Sequence, residues 1–286
     1  MAKFNVKKHD KVLENTLEEV QAGVFDNAKA LESEVAELVS QGLPVEALRP
    51  QINQAFGRHA ESVRASANSL RDVSTDLLDQ SSLPVEPADY VAESALLQSS
   101  QDELANTVAS ASEDVIKTAV LATVAGVATA ALVNQVRGRI SGVHMDSNDP
   151  EVKRLQRKLR KATGDQHKDL VAQIKRKLPG DVNTAAALAT LLSTKAESVV
   201  GSYNGTFAKS RAKRQKIERF EYAGGLMATS RPFCRSMLGL QMTEEEIQNI
   251  WNGESWAGKE PGDPFVVRGG YNCQHYWVPV ENFEEE

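Results

Sequence analysis

The stretch KVLENTLEEVQAGVFDNAKALESEVAELVS, residues 11–40, decides the fold class, because its apolar side chains recur at steps of three and four. This spacing predicts a long α-helix with one apolar face. Gly42 and Pro44 predict where the helix ends, since glycine closes helices and proline cannot continue them. The apolar face consists of Leu13, Leu17, Val20, Val24, Ala28, Leu31, Val35 and Leu38.

The following segment repeats this pattern as far as the break SSLPVEP at residues 81–87. Two long amphipathic helices joined by a short turn are typical of an antiparallel hairpin. We therefore predict a mainly α-helical protein built from long amphipathic hairpins or a bundle. The second apolar face consists of Val45, Leu48, Ile52, Phe56, Val63, Leu70, Val73 and Leu77.

A helical pattern returns over residues 88–138, and its centre, Thr118 to Val136, is nineteen residues long without a charge. That length is near the lower limit for a membrane-spanning helix. Much of the segment is alanine, which adds little transfer free energy, and Gly126 and Ala130 permit close helix packing. We expect a buried, tightly packed helix, with membrane insertion at some stage as the alternative.

Composition excludes several classes of protein. The chain has 286 residues, a net charge of −6 and 41% hydrophobic residues, which is ordinary for a protein that buries a core. Its two cysteines exclude a disulfide-rich secreted scaffold and favour synthesis in a reducing cytoplasm. The first ten residues, MAKFNVKKHD, lack the apolar segment of a signal peptide.

A basic region follows the polar linker SGVHMDSND at residues 141–149, with ten lysines and arginines between residues 151 and 177. Such runs are either solvated helix faces or contacts to the phosphates of DNA, which lysine and arginine neutralise without reading sequence. No aromatic residue interrupts the run, so base stacking is not expected. The candidate DNA contacts are Lys153, Arg154, Arg157, Lys158, Arg160, Lys161, Lys175, Arg176 and Lys177.

The C-terminal region differs in composition, since all three tryptophans and both cysteines follow Phe220. This shift predicts three regions: helical hairpins with the Ala/Val-rich helix over 1–140, a basic helical region over 141–219, and a compact α+β module over 220–286. Within the module we predict a strand at 220–222, a hydroxyl-capped helix entered through Pro232, a capping box at 243–246 and a strand over 273–280.

Two strings of this module carry a family resemblance, YAGGLMATSRPFCRSMLGLQMTEEEIQNIW and GGYNCQHYWVPV. In order and spacing they resemble the C-terminal signature of the phage Mu F-like minor head proteins, over about the last sixty residues. Gln274 replaces the arginine usual before the histidine, and Ser230 replaces a threonine. The matching positions, here called the signature residues, are Tyr222, Arg231, Pro232, Phe233, Cys234, Gly269, Gly270, Asn272, Cys273, His275, Trp277, Pro279 and Val280.

The resemblance implies a minor capsid protein that acts in head morphogenesis. Such a protein is synthesised in the host cytoplasm and is carried in the virion in more than one copy. It attaches to the portal or neighbouring capsid proteins inside the head and aids assembly, genome packaging and DNA ejection. One alternative is an internal ejection protein whose segment 118–136 acts on the host membrane. Another is a zinc- or thiol-dependent enzyme, although we expect a structural protein rather than an enzyme.

Cys234, Cys273 and His275 are the candidate metal ligands. Cys273 and His275 lie two positions apart on a predicted strand and would therefore share a face, and Cys234 can approach them across the module. Zinc is the metal that such a set favours, but the paired CxxC spacing is missing. A disulfide formed after release and packed free thiols remain open. The other histidines, His9, His59, His144 and His167, are expected at the surface.

Overall fold

The computed structural model describes residues 4–81, 84–124, 126–141, 154–155, 158, 169–170, 173, 187–226, 230–270 and 273–280. Long helices account for most of this part of the chain, and the only sheet in it is small, three-stranded and near the C-terminus. The predicted fold class, mainly α with a small α+β module, is therefore confirmed. The basic region is described at too few positions for its predicted helices to be compared.

The predicted hairpin is present. Helix α1 spans Val6–Ser40 and α2 spans Val45–Ser66, with Gly42 at a φ of 66° in the turn between them. Gly23 packs against Ser66, while Glu34 pairs with Arg58 further along, so the two helices run antiparallel. A short 3-10 turn, Ala67–Ser69, leads into α3, Leu70–Asp79, which completes the second apolar face.

The segment predicted as one helix over 88–138 is two helices, so that prediction is wrong in one respect. Helix α4 spans Pro87–Val124 and α5 spans Thr129–Ser141. Gly126 has a φ of 70°, a left-handed conformation that interrupts a helix and that glycine adopts at low cost. Leu121 is 60% exposed, so the Ala-rich stretch is not buried throughout.

Helix α6 spans Leu188–Arg214 and leads into the C-terminal module. In that module β1 spans Arg219–Ala223, α7 Pro232–Met237, β2 Gln241–Thr243, α8 Glu244–Gly253, α9 Pro264–Val267 and β3 Tyr276–Val280. The strands are antiparallel in the order β2-β1-β3, with Tyr222 opposite Trp277. The predicted capping box at Thr243 and Glu246 is present.

Two details of the module differ from expectation. Helix α7 has Arg231 as its N-cap, with extended backbone and no side-chain capping bond, so the predicted hydroxyl cap is wrong. Strand β3 begins at Tyr276, so Cys273 and His275 precede it instead of lying on it. The short helix α9 was not predicted, because its four residues are too few to give a periodic signal.

The chain forms two compact units that divide it differently from the three consecutive regions. The first unit consists of Met1–Leu17, Asn68–Ser100 and Glu197–Glu286, and the second of Glu18–Ala67 and Gln101–Ala196. Long helices such as α1 and α4 contribute residues to both, which a division by composition does not reveal.

In the second unit, ion pairs join α4 to its neighbours. Arg49 lies 3.6 Å from Glu113 and Arg64 lies 2.9 Å from Asp102, which places α2 and α4 antiparallel. In the first unit, one face of the sheet carries Ala223, Tyr276 and Val278, and these pack against Phe4, Val6 and Leu13. The opposite face of the sheet carries the candidate site.

Candidate metal centre

The module core brings the signature residues together. The register Tyr222 to Trp277 aligns β1 with β3, and their ring centroids lie 4.6 Å apart. Phe233 enters from α7, immediately after Pro232 at the first helical position, and stacks on Trp256 at 4.0 Å. Five signature residues belong to this one core cluster: Tyr222, Phe233, Cys234, Cys273 and Trp277.

Cys234, Cys273 and His275, here called the Cys–Cys–His cluster, meet on the sheet face that carries this core. The two Sγ atoms are 3.7 Å apart, and the Cys273 Sγ is 3.6 Å from the His275 Nδ1. All three side chains are buried, and their ligand atoms lie within 4.8 Å of one another. Both cysteines are free thiols. The cluster has the composition and spacing to hold a metal ion.

Tyr222 belongs to the same site, although the sequence marked it only as a structural residue. Its hydroxyl lies 3.4 Å from the Cys273 Sγ and 3.6 Å from the Cys234 Sγ. Its ring stacks on His275, with centroids 5.4 Å apart and planes at 7°. A tyrosine within a predicted strand gives no sign of such a role, because strands commonly contain tyrosine for packing.

The site shifts the pKa values of the two thiols in opposite directions. The hydrogen bond with Cys234 lowers the pKa of Cys273, against the effect of burial, and His275, Tyr222 and Arg268 lower it further. The same hydrogen bond, together with burial, raises the pKa of Cys234. Burial raises the pKa of the Tyr222 phenol, and the two thiols beside it add to that rise. A metal cation would offset the cost of ionising these three groups together.

Arg268 is a second residue of the site that sequence reasoning missed. Its side chain is 8% exposed, its φ is 57°, and its Nε has no hydrogen-bond partner among the described residues. Burial lowers the pKa of Arg268, whereas the negative charge of Cys273 and Tyr222 raises it. A buried guanidinium is costly to desolvate, so its placement beside ionisable thiols is electrostatically significant.

Gly269 leaves the space in which three of these groups meet. A Cβ at this position would lie 2.5 Å from the Cys234 Sγ, 2.8 Å from the Cys273 Sγ and 3.1 Å from the Tyr222 hydroxyl. The next residue, Gly270, has a φ of 100°, and a Cβ there would overlap the Gly258 carbonyl oxygen. The two signature glycines are therefore required by close approach and backbone conformation.

The remaining signature positions lie outside the Cys–Cys–His cluster. The Arg231 Nε donates a hydrogen bond to the Ala257 carbonyl at 3.1 Å. Pro279 lies opposite Phe220 in the sheet, and Val280 lies opposite Arg219. Asn272 lies outside the described residues.

Among the nine candidate DNA contacts, the structure describes only two, Arg154 and Lys158, both exposed and helical. The others lie outside the described residues. The positions that sequence proposed for phosphate contact therefore stay a prediction.

A second buried polar network lies in the first unit, around His9. The His9 ring nitrogens contact the Asp76 carboxylate at 2.8 Å and the Asn204 amide oxygen at 3.1 Å. His9 is fully buried, so the expected surface placement is wrong, and His59 is half-buried with Nε2 3.2 Å from Glu34. Burial raises the pKa of Asp76, but hydrogen bonds with His9, Lys8 and Gln80 outweigh it and hold the pKa at about 2.

No protein-family model matches this chain, and neither a curated protein nor a solved structure matches it significantly. Among the helices of the described residues, none combines the length and the apolar character that crossing a membrane requires.

Proposed function

We propose that this chain is a bacteriophage minor head protein that attaches near the portal inside the head and aids head assembly, genome packaging and delivery. One observation carries the proposal: residues matching the Mu F-like signature over two separate strings pack into a single core. A folded module built on this signature requires these residues to pack together, and they do.

The buried position of the site supports a structural rather than a catalytic role. Cys234 is 1% exposed, Cys273 4% and His275 3%, so a substrate has no direct approach to the thiols. A reactive cysteine ordinarily sits in a partly exposed setting. We assign the module to folding and docking, and the long helices to contacts with portal or capsid proteins.

The metal that we propose for the Cys–Cys–His cluster is zinc. Two thiolates and an imidazole form a ligand set typical of tetrahedral zinc, and a bound ion would hold α7 against the segment that enters β3. When bound, zinc supplies a fixed cross-link between chain segments 39 positions apart. Its role is therefore to stabilise the docking module.

Particle composition tests the head-protein proposal. Virions are purified from the phage whose genome encodes the chain, and quantitative mass spectrometry measures the number of copies per portal. We expect a few copies per particle, with the chain located at the portal vertex by cryo-electron microscopy. Absence from purified virions, or a copy number equal to that of the major capsid protein, would overturn the proposal.

Metal analysis of the purified full-length chain tests the zinc component. We expect about one zinc ion per chain in the wild type and a large loss in Cys273→Ser. Lys158→Ser serves as a control that leaves the cluster intact. If the wild type and Cys273→Ser are both free of zinc after purification and zinc addition, the chain has no zinc site.

The basic region is proposed to face packaged DNA. The support is the density of lysine and arginine over residues 151–177, ten in number. Binding of the full chain to duplex DNA of random sequence should weaken as salt rises, because counterions are released. Replacing the nine candidate residues by glutamine should abolish that binding. No measurable affinity at low salt would remove this part of the proposal.

A further inference from the structure

We infer that the Tyr222 phenolate is the fourth ligand of the metal centre and closes it as a tetrahedral site of two cysteines, one histidine and one tyrosine. The inference rests on the proposed zinc site and extends it. A set of two thiols and one imidazole leaves one position open, and a catalytic zinc keeps that position for water. Four protein ligands instead define a closed, structural centre.

The separations between ligand atoms carry the argument. Zinc bonds of about 2.3 Å to sulfur and about 2.0–2.1 Å to nitrogen or oxygen require tetrahedral edges of about 3.8 Å for sulfur–sulfur and about 3.6 Å for the mixed pairs. The observed sulfur–sulfur separation is 3.7 Å, and the Cys273 to His275 separation is 3.6 Å. The Tyr222 hydroxyl completes two further edges, 3.6 Å to Cys234 and 3.4 Å to Cys273.

The four ligands reach the centre from three parts of the module. Tyr222 lies on β1, Cys234 lies on α7, and Cys273 and His275 precede β3. The phenol ring is fixed by stacking on His275 and by contact with Trp277. Because the Tyr222 side chain is fully buried, its hydroxyl is already desolvated at the site and needs no rearrangement to bind.

The ligands of the closed centre carry more negative charge than zinc alone neutralises. Two thiolates and one phenolate contribute three negative charges against the two positive charges of zinc. The Arg268 guanidinium, which also interacts with Glu197 and Glu260, offsets part of the remainder. The imidazole binds in its neutral form. Each thiol or phenol that carries a proton before zinc binds releases that proton to solvent. Offsetting this negative charge is a role for the buried Arg268 guanidinium that packing alone does not explain.

The test titrates zinc chloride into full-length protein that has been freed of metal by a chelator under reducing conditions. Binding should produce the ultraviolet difference absorbance of one ionised tyrosine per zinc ion. In Tyr222→Phe this absorbance should vanish, one fewer proton should be released per zinc ion, and the zinc Kd should rise at least about tenfold. Tyr276→Phe is the matched control, because Tyr276 is also a buried strand tyrosine but contacts Asp10 instead of the cluster.

The outcomes separate the two proposals. Zinc bound by the wild type without phenolate absorbance would overturn the role of Tyr222 and leave the three-ligand site standing. No zinc bound by the wild type would overturn both. If Tyr222→Phe fails to fold, the wild-type absorbance and its retention in both Tyr276→Phe and Tyr271→Phe still decide the question. The location of the chain in the virion is measured separately and is unaffected by either result.

Discussion

Gly269 shows how one residue can control a site without taking part in its chemistry. A methyl group at this position meets two sulfur atoms and a phenol oxygen, all belonging to buried side chains. Gly225 is its natural comparison, because it lies in the same module and a Cβ there would have no atom of the described residues within 4 Å.

Gly269→Ala should destabilise the protein by about 1–3 kcal/mol, because the new methyl group forces the thiols apart in a packed core. It should also reduce the amount of zinc bound, since the ligand spacing changes. Gly225→Ala should change stability by no more than about 0.5 kcal/mol. Urea unfolding and metal analysis of both variants test this prediction. Equal stability of the two variants would contradict it.

Asp76 predicts a stability that depends on pH. Its pKa is about 2 in the folded protein and near 3.8 ordinarily, so ionised Asp76 favours the folded state at neutral pH. That contribution is fully present above about pH 4 and is lost as pH falls toward about 2. Lys8 is exposed, so solvent screens its ion pair with Asp76. We therefore expect ionised Asp76 to contribute about 1–2 kcal/mol to the free energy of unfolding.

Asp76→Asn should therefore lower the free energy of unfolding by about 1–2 kcal/mol at pH 7, and the gap to the wild type should narrow below about pH 4. Asp102→Asn is the control, because it removes only a surface ion pair with Arg64 and should cost less than about 1 kcal/mol. Thermal unfolding across pH 2–8 measures both. If the difference in unfolding free energy between Asp76→Asn and the wild type stays constant down to pH 2, the charge of Asp76 does not contribute to stability.

At this scale the sequence predicted the three candidate metal ligands but not their partners. Cys234, Cys273 and His275 are residue types whose chemistry is visible in a sequence. Tyr222 and Arg268 are not, because their roles depend on the pairing of β1 with β3 and on a left-handed backbone at position 268. Burial of His9 was missed for the same reason, since its partners lie 67 and 195 positions away.

Helix α6 meets the module through two glycines. A Cβ at Gly205 would overlap the Phe265 carbonyl oxygen, and one at Gly201 would overlap the Arg268 guanidinium. The backbone of α9 thus packs directly on the helix at a distance that only glycine allows. Glycine weakens an isolated helix, so its presence here indicates that packing outweighs helix propensity.

Gly205→Ala should destabilise the protein by more than about 2 kcal/mol, because the backbone carbonyl that it strikes cannot move without displacing α9. Gly57→Ala on α2 should do the opposite and stabilise the protein by about 0.5–1 kcal/mol, since no atom in the part of the chain that the structure describes lies within 4 Å of a Cβ there and alanine favours helix. Denaturant unfolding of the two variants gives the comparison. Destabilisation by Gly57→Ala would contradict this account.

Elements with a long periodic pattern were predictable, and those set by a single backbone conformation were not. The regular spacing of apolar residues predicted α1 and α2, and the capping box predicted the start of α8. The break between α4 and α5 depends on the φ of Gly126, within a run of helix-forming alanines that conceals it. Helix α9 has only four residues, too few for a periodic signal.

At the scale of the whole molecule, the first unit is assembled from three separated parts of the chain. Phe4, Val6 and Leu13 cover the sheet face opposite the candidate metal centre, and Tyr276 donates a hydrogen bond of 2.6 Å to Asp10. The composition boundary near residue 220 therefore does not mark the edge of an independent folding unit.

Replacing Phe4, Val6 and Leu13 together by serine should destabilise the module by about 2–3 kcal/mol, because apolar cover is lost from the sheet. Hydrogen exchange should become faster in β1 and β3 and remain unchanged in α2. Val91→Ser with Leu226→Ser is the control, since these apolar side chains are 70% and 49% exposed. Unchanged exchange in β3 of the triple variant would show that the N-terminal residues do not stabilise the sheet.

The bond between Asp10 and Tyr276 also sets an order of events during translation. The two residues are 266 positions apart. At a translation rate of about 5–20 residues per second, Tyr276 is therefore synthesised roughly 10–50 seconds after Asp10. Throughout that interval the nascent chain holds Phe4, Val6 and Leu13 without their final cover, while the α1–α2 hairpin has all its residues available early. The first unit can therefore be completed only after β3 has been synthesised. Chains that terminate earlier keep an apolar N-terminal surface, which chaperones and proteases can recognise.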